Sequence, residues 1–188
     1  MSTVPAQMLS PVLAQLMHEL DRIEPRTRVA VSGLPESKFR EAPPDGGWSV
    51  AQTFEHLCLA NLSYLDGPLT PAVARAKARG RSEKPWKPSW LGGWLTRMLR
   101  EGGKPVPAPK LYRVGPTTRA NAVDEFLASI TRLRALAIDV DGCDLGVGMP
   151  SPVSPIIRLN IGDAFRVIVV HSHRHLGQAE RTRRAVGM

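Results

Sequence analysis

The sequence predicts an all-α protein, an up-down-down-up four-helix bundle with a long crossover between its second and third helices. Three observations carry this expectation. Four stretches set apolar residues at helical spacing. Aromatic residues make up only 5% of the chain and β-branched runs are few, which disfavours a β-sandwich. A basic, proline-rich connection of about 40 residues separates the second and third stretches; short loops join antiparallel neighbours, whereas a long crossover lets successive helices run parallel. A length of 188 residues suits one domain with a sizeable core, so residues 1–188 read as a single unit.

Taken in order, Ser10-Pro11 opens the first helix, with serine as cap and proline at the first helical position. Leu13, Leu16, Met17, Leu20 and Ile23 form its stripe. Pro25 removes a backbone donor and should kink or interrupt it before Gly33-Leu34-Pro35 ends it. The second helix has the clearest start: Ser49-Val50-Ala51-Gln52 is a capping box, and Trp48 can pack on the first turn as a staple. Phe54, Leu57, Leu62 and Leu65 then run to a break at Gly67-Pro68, after which Ala72 to Ala78 can resume the helix. Within the crossover, residues 79–117, Ser89 can cap a short helix with the stripe Trp90, Leu91, Trp94, Leu95, Met98 and Leu99. The third long helix is expected from about Arg119 to Ile138, with Val123, Phe126, Leu127, Ile130, Leu133 and Leu136 or Ala137 inward. Residues 139–160, broken by glycine and proline, read as irregular. The fourth helix should run from Ile161 to Ala185, capped by Asn160, with Asp163 at its positive end.

The net charge of +8 does not belong to the whole domain. Between Arg75 and Arg113 there are eleven Lys/Arg against two acids, a net of +9; the rest of the chain carries −1. No nucleic-acid reading module accompanies this basic segment, so no specific nucleic-acid partner is expected and its charges should be solvated. The first residues lack a basic region followed by an apolar run, and no apolar stretch approaches the roughly 20 residues that span a bilayer. Cys58 and Cys143 form no metal or redox motif and suit a reducing compartment. A cytoplasmic protein without membrane insertion is the expectation.

The chemistry rests on histidine. His171 and His175 are four apart in the fourth helix, so they stack on one face and can reach one metal ion. His173 points roughly to the opposite side. His56, one to two turns into the well-capped second helix and near its apolar side, is the natural third ligand. Three neutral nitrogens leave coordination positions open, as in catalytic rather than structural sites. His18 and His173 read as ordinary core, cap or surface residues. Gln178, two turns beyond His171 on the same face, is the one non-ligand candidate, for orienting a ligand or touching substrate. No Ser/His/Asp or Cys/His arrangement is present, so the catalytic residues are otherwise unknown.

The stretch Gly47-Trp48-Ser49-Val50-Ala51-Gln52-Thr53-Phe54-Glu55-His56-Leu57 resembles the first signature of the DinB-like superfamily, a tryptophan-serine pair followed by a histidine-leucine pair. The tail His171-Ser172-His173-Arg174-His175-Leu176-Gly177-Gln178 resembles its closing histidine motif. The resemblance implies an up-down-down-up bundle with a divalent ion on His56, His171 and His175. It further implies a family that includes transferases and isomerases using low-molecular-weight thiols, proteins described as metal hydrolases, and members without assigned activity. The resulting expectation is an enzyme whose ion, zinc, nickel, iron or copper, activates a small thiol or water for S-transfer or hydrolysis of a small-molecule substrate. The rival is a non-catalytic binding or sensor module in which the metal is structural or adventitious and Trp86, Trp90 and Trp94 form a partner surface. Homodimers are common among such bundles by resemblance, and no residue pattern fixes that state in this chain.

Overall fold

The computed structural model describes residues 9–103 and 107–187, and these are mostly helical with one small two-stranded sheet. The first helical stretch is two helices, α1 (Pro11–Asp21) and α2 (Ile23–Val31). The interruption falls at Arg22 rather than at Pro25: the proline nitrogen cannot donate to the Asp21 carbonyl, so the break appears near the deprived acceptor and Pro25 lies in the first turn of α2. Ser10 occupies the cap position of α1 without a side-chain cap bond; its amide donates instead to Asp141 Oδ1 at 3.2 Å. A five-residue helix α3 (Glu36–Arg40), absent from the sequence reading, follows and is closed by an Arg40–Glu36 ion pair.

Helix α4 (Val50–Tyr64) begins with the expected capping box. Gln52 N donates to Ser49 Oγ at 3.1 Å, and Ser49 N to Gln52 Oε1 at 3.0 Å. A wide turn over Leu65–Leu69, with Gly67 outside helical geometry and Pro68 unable to donate, leads into α5 (Thr70–Ala78). Helix α6 (Trp90–Leu99) starts where Ser89 Oγ accepts from Gly92 N at 3.0 Å. Helix α7 (Ala122–Asp139) buries Phe126, Ile130, Leu133 and Ala137.

The all-α expectation needs correction at residues 139–160, which are not wholly irregular. Strands β1 (Gly148–Ser151) and β2 (Ser154–Asn160) pair antiparallel, with Met149 opposite Leu159 and a bulge at Pro150/Ser151. In a two-stranded sheet every strand is an edge, so the prolines that look like breakers cost no central ladder bond. Val147, Met149 and Ser151 are buried in alternation, which seats the hairpin on the helices. The hairpin feeds directly into α8 (Ile161–Ala185), whose capping box joins Asp163 N to Asn160 Oδ1 at 2.8 Å and Asn160 N to Asp163 Oδ2 at 3.3 Å.

Helix α8 is the axis of the molecule. It packs against α1, α2, α4 and α6, while α4 also packs on α7. Leu13, Leu20, Phe54, Leu57, Phe126, Leu133, Phe165 and Ile168 belong to one continuous core. The crossover is pinned at the N-terminal end of α8, where Trp86 Nε1 donates to Asn160 Oδ1 at 2.9 Å and Ser89 N to Asp163 Oδ1 at 3.1 Å. Gly92 allows this close approach, since a Cβ there would stand 2.1 Å from Asp163 Cγ. Leu91, Leu95 and Leu99 turn to the core, whereas Trp90 and Trp94 remain 82% and 44% exposed. Among the described residues no helix is long and apolar enough to cross a membrane.

Candidate metal centre

Three imidazoles from two helices meet at one point. The capping box fixes the start of α4 and so the angular position of His56 on its second turn; the long α8 carries His171 and His175 one turn apart. Their ring centroids lie 4.5 Å apart in the His56–His175 and His171–His175 pairs and 5.0 Å apart in the His56–His171 pair. One nitrogen from each falls within 4.8 Å of the other two, forming a cluster that could hold a metal ion. His56 Nε2 and His171 Nε2 are 3.1 Å apart.

Hydrogen bonds on the far side of two rings decide which nitrogens face the centre. His56 Nδ1 lies 2.8 Å from the Tyr112 carbonyl oxygen, which can only accept, so Nδ1 carries the proton and Nε2 the lone pair. His175 Nδ1 lies 2.8 Å from Gln178 Oε1 and is fixed the same way. A donor bond to the outer nitrogen is the arrangement that orients metal-binding histidines. Burial lowers the proton affinity of His56, opposed in part by the Tyr112 bond. Burial, then the charges His175 and His56 would carry, hold His171 well below the ordinary histidine range. Burial and the proximity of His56 bring His175 down to about 3. All three rings are therefore neutral near pH 7, the state in which imidazole ligates a metal.

Trp48 does more than staple the start of α4. Its ring lies 4.5 Å from that of His56 and stacks on that of His175 at 5.8 Å, closing one side of the cluster. Tyr112 comes from the short turn Lys110–Tyr112 of the crossover, which brings its carbonyl to His56. Sequence reading missed both roles. Trp48 had a signal in the spacing to His56, while a backbone acceptor supplied by a loop has none.

His173 turns away from the cluster. Its Nε2 contacts the Glu19 carbonyl at 3.1 Å and the Glu19 carboxylate at 3.3 Å, and its Nδ1 faces Arg26 Nη1 at 3.3 Å. His18 is exposed on α1. Cys58 is buried with its thiol directed at the Ala122 carbonyl, 2.9 Å away, outside the cluster. Gln178 sits where it touches both His175 and the cavity beside the cluster. That cavity, about 840 Å3, is bounded by α4, α6, α8, the hairpin and the crossover, with the three histidines in its wall.

Fold and site together define a mainly helical protein with a three-histidine cluster opening into a cavity. The family model of the DinB superfamily matches residues 19–179, and the chain belongs to that superfamily. No curated protein and no solved structure matches it.

Proposed function

We propose that this protein is a metal-dependent enzyme that binds one divalent ion on His56, His171 and His175 and activates a low-molecular-weight thiol or water, for S-transfer or hydrolysis. One observation carries the reading: three neutral imidazoles with their lone pairs turned to a common point form part of a cavity wall instead of being closed off. The donor set fits such an ion. Two rings are locked by outer hydrogen bonds, and among the described residues no carboxylate or thiol joins the cluster as a fourth ligand. Three protein ligands leave coordination open to an exogenous group. When bound, the ion supplies Lewis acidity that lowers the pKa of a coordinated thiol or water.

The chain's own residues do the rest. Gln178 and the Tyr112 carbonyl hold the two ligand rings, and Trp48 packs across them to fix their tilt. Leu95, Met98, Val167 and Ile168 offer apolar surface to the body of a substrate and limit water around the cluster. A cytoplasmic setting, where small thiols stay reduced, suits this chemistry and the free thiols Cys58 and Cys143. We also read the four long helical stretches as the up-down-down-up bundle, a reading supported by α8 packing on α1, α2 and α4, and α4 on α7.

Cobalt substitution tests the proposal. The cobalt-loaded protein should develop a sulfur-to-metal charge-transfer band when a small thiol is added, and His175→Ala should not. A cobalt spectrum indifferent to every thiol, with no hydrolytic turnover of activated esters, would overturn it. The exposure of Trp90 and Trp94 favours a second reading, a partner-binding module built on α6; it would gain if turnover were absent while binding of a partner was lost in Trp90→Ala.

A further inference from the structure

Helix α6 packs on the core with one face and leaves the other to solvent. At about 100° per residue, Leu91, Leu95 and Leu99 fall on one side, and these three pack against the core. Trp90, Trp94 and Arg97 fall within about 60° of arc on the opposite side. All three are exposed, Trp90 most of all, so most of a large apolar ring stands in water. Strand β2, which packs beside α6, repeats the pattern. Ile157 lines the cavity, while Ile156, on the other face of the strand, is 88% exposed.

The surroundings of this face are basic. Residues 84–100 hold four Lys/Arg and no acid, and all four cations are exposed. Glu101, just beyond α6, is bonded through both oxygens to Arg26. The elements packed on α6 bring no further acid to the face. On α8, Asp163 is buried and accepts from Asn160 N and Ser89 N, and Glu180 is bonded to Arg26. Strand β2 has no acid and carries the exposed Arg158. Glu83 is thus left to oppose Lys84, Lys87, Arg97 and Arg100.

We propose that the outer face of α6 docks on an anionic lipid surface, with Trp90 and Trp94 entering the interfacial zone and the four cations meeting the headgroups. Indole rings partition to that zone, which accommodates both their apolar body and their N–H. Cations beside them gain from the negative surface potential. Charge decides against a second copy of this chain, which would bring the same positive field to the contact. A nucleic acid would answer the charge, but the lipid boundary also accommodates the aliphatic Ile156 of the adjoining strand. The contact is peripheral, since α6 has ten residues, about half of what crosses a bilayer. Leu95, Met98 and Leu99 of the same helix wall the cavity, so a chain docked this way holds the cavity beside the lipid. None of the six docking side chains lines that cavity, and the proposal stands apart from the metal reading.

Co-sedimentation of the full chain with vesicles tests it, comparing phosphatidylcholine alone with an equal mixture of phosphatidylcholine and phosphatidylserine. The anionic vesicles should bind about tenfold more tightly or better at low salt, and added salt should shrink the difference. Lipids brominated in their acyl chains should quench tryptophan fluorescence in the wild type. Trp90→Ser with Trp94→Ser should abolish that quenching and weaken binding about tenfold. Lys87→Gln with Arg97→Gln should cost about fivefold per charge. Both double variants should keep wild-type circular dichroism, because the replaced side chains lie on the solvent side of the chain. Equal binding to the two vesicle types, or binding to neither, would overturn the proposal. So would anionic binding that shows no quenching and persists in the tryptophan variant. A single-stranded oligonucleotide that strips the protein from the vesicles, and whose own binding is lost in that variant, would assign the face to nucleic acid instead.

Discussion

Gly177→Ala should leave global stability nearly unchanged although it replaces a glycine in the middle of a long helix. By helix propensity alone alanine adds about 1 kcal/mol at such a position. The added Cβ, however, would stand 2.1 Å from Glu101 Oε1 and 2.9 Å from Glu101 Cδ. The glutamate side chain must leave, and with it the paired bonds to Arg26, whose side chain is 19% exposed against 43% for Glu101. A partly exposed pair of this kind is worth about 1 kcal/mol, so gain and loss nearly cancel. Arg26 keeps Glu180, at 2.8 and 3.1 Å, which prevents a buried unpaired charge. Urea unfolding measures the sum, and a Glu101→Ala background isolates the clash. There Gly177→Ala should stabilise by about 1 kcal/mol, seen as about 2–4 °C in Tm. Limited trypsinolysis supplies a local readout, since cleavage after Arg100 should accelerate in the single Gly177→Ala variant. Equal stabilisation in both backgrounds, with cleavage at Arg100 unchanged, would refute the reasoning.

Two further outcomes follow from the cluster. Gln178→Ala removes the acceptor that holds His175 Nδ1–H, and should weaken metal affinity about tenfold in a chelator competition, with Gln178→Glu retaining most of it; unchanged affinity in the alanine variant would remove the orienting role. For the chelator-treated protein, stability should fall as pH drops from 7 to 5. His56, His171 and His175 have folded proton affinities below the unfolded value of about 6.5, so in that window the unfolded chain binds more protons and acid favours it. Because His175 titrates only near about 3, the loss continues well below pH 5, where carboxylates such as Glu101 join in the same direction. A Tm that rises between pH 7 and 5 would contradict this.

The most legible elements were those in which several local signals agreed. Ile161–Ala185 combines a capping box at Asn160 and Asp163 with a sustained apolar stripe, and the expected boundaries coincide with α8. Ser49 and Gln52, and Ser89 before Trp90, marked α4 and α6 in the same way. The hairpin was hidden because Pro150, Pro152 and Pro155 suggest disruption, and only the tertiary surface beneath Val147 and Met149 makes their strand worthwhile. Pro25 signalled a break but not its location, since the missing bond is felt by the carbonyl four residues earlier. The histidine cluster was legible from a four-residue spacing within one helix and a motif in another. Tyr112 was not, because its contribution is a carbonyl delivered by the crossover.

The most direct measurement is the metal content of untagged protein, purified without a nickel column and then stripped and titrated with zinc, in the wild type and in His56→Ala, His171→Ala, His175→Ala and His173→Ala. The wild type should bind one ion per chain. His56→Ala, His171→Ala and His175→Ala should bind none at matched concentration, with helical circular dichroism retained, because packing of the apolar stripes supplies most of the stability. His173→Ala, which loses only its contacts to Glu19 and Arg26, should keep the ion while unfolding at lower temperature. A wild type that binds no ion, or a His175→Ala protein that still binds one with wild-type affinity, would contradict the three-histidine centre.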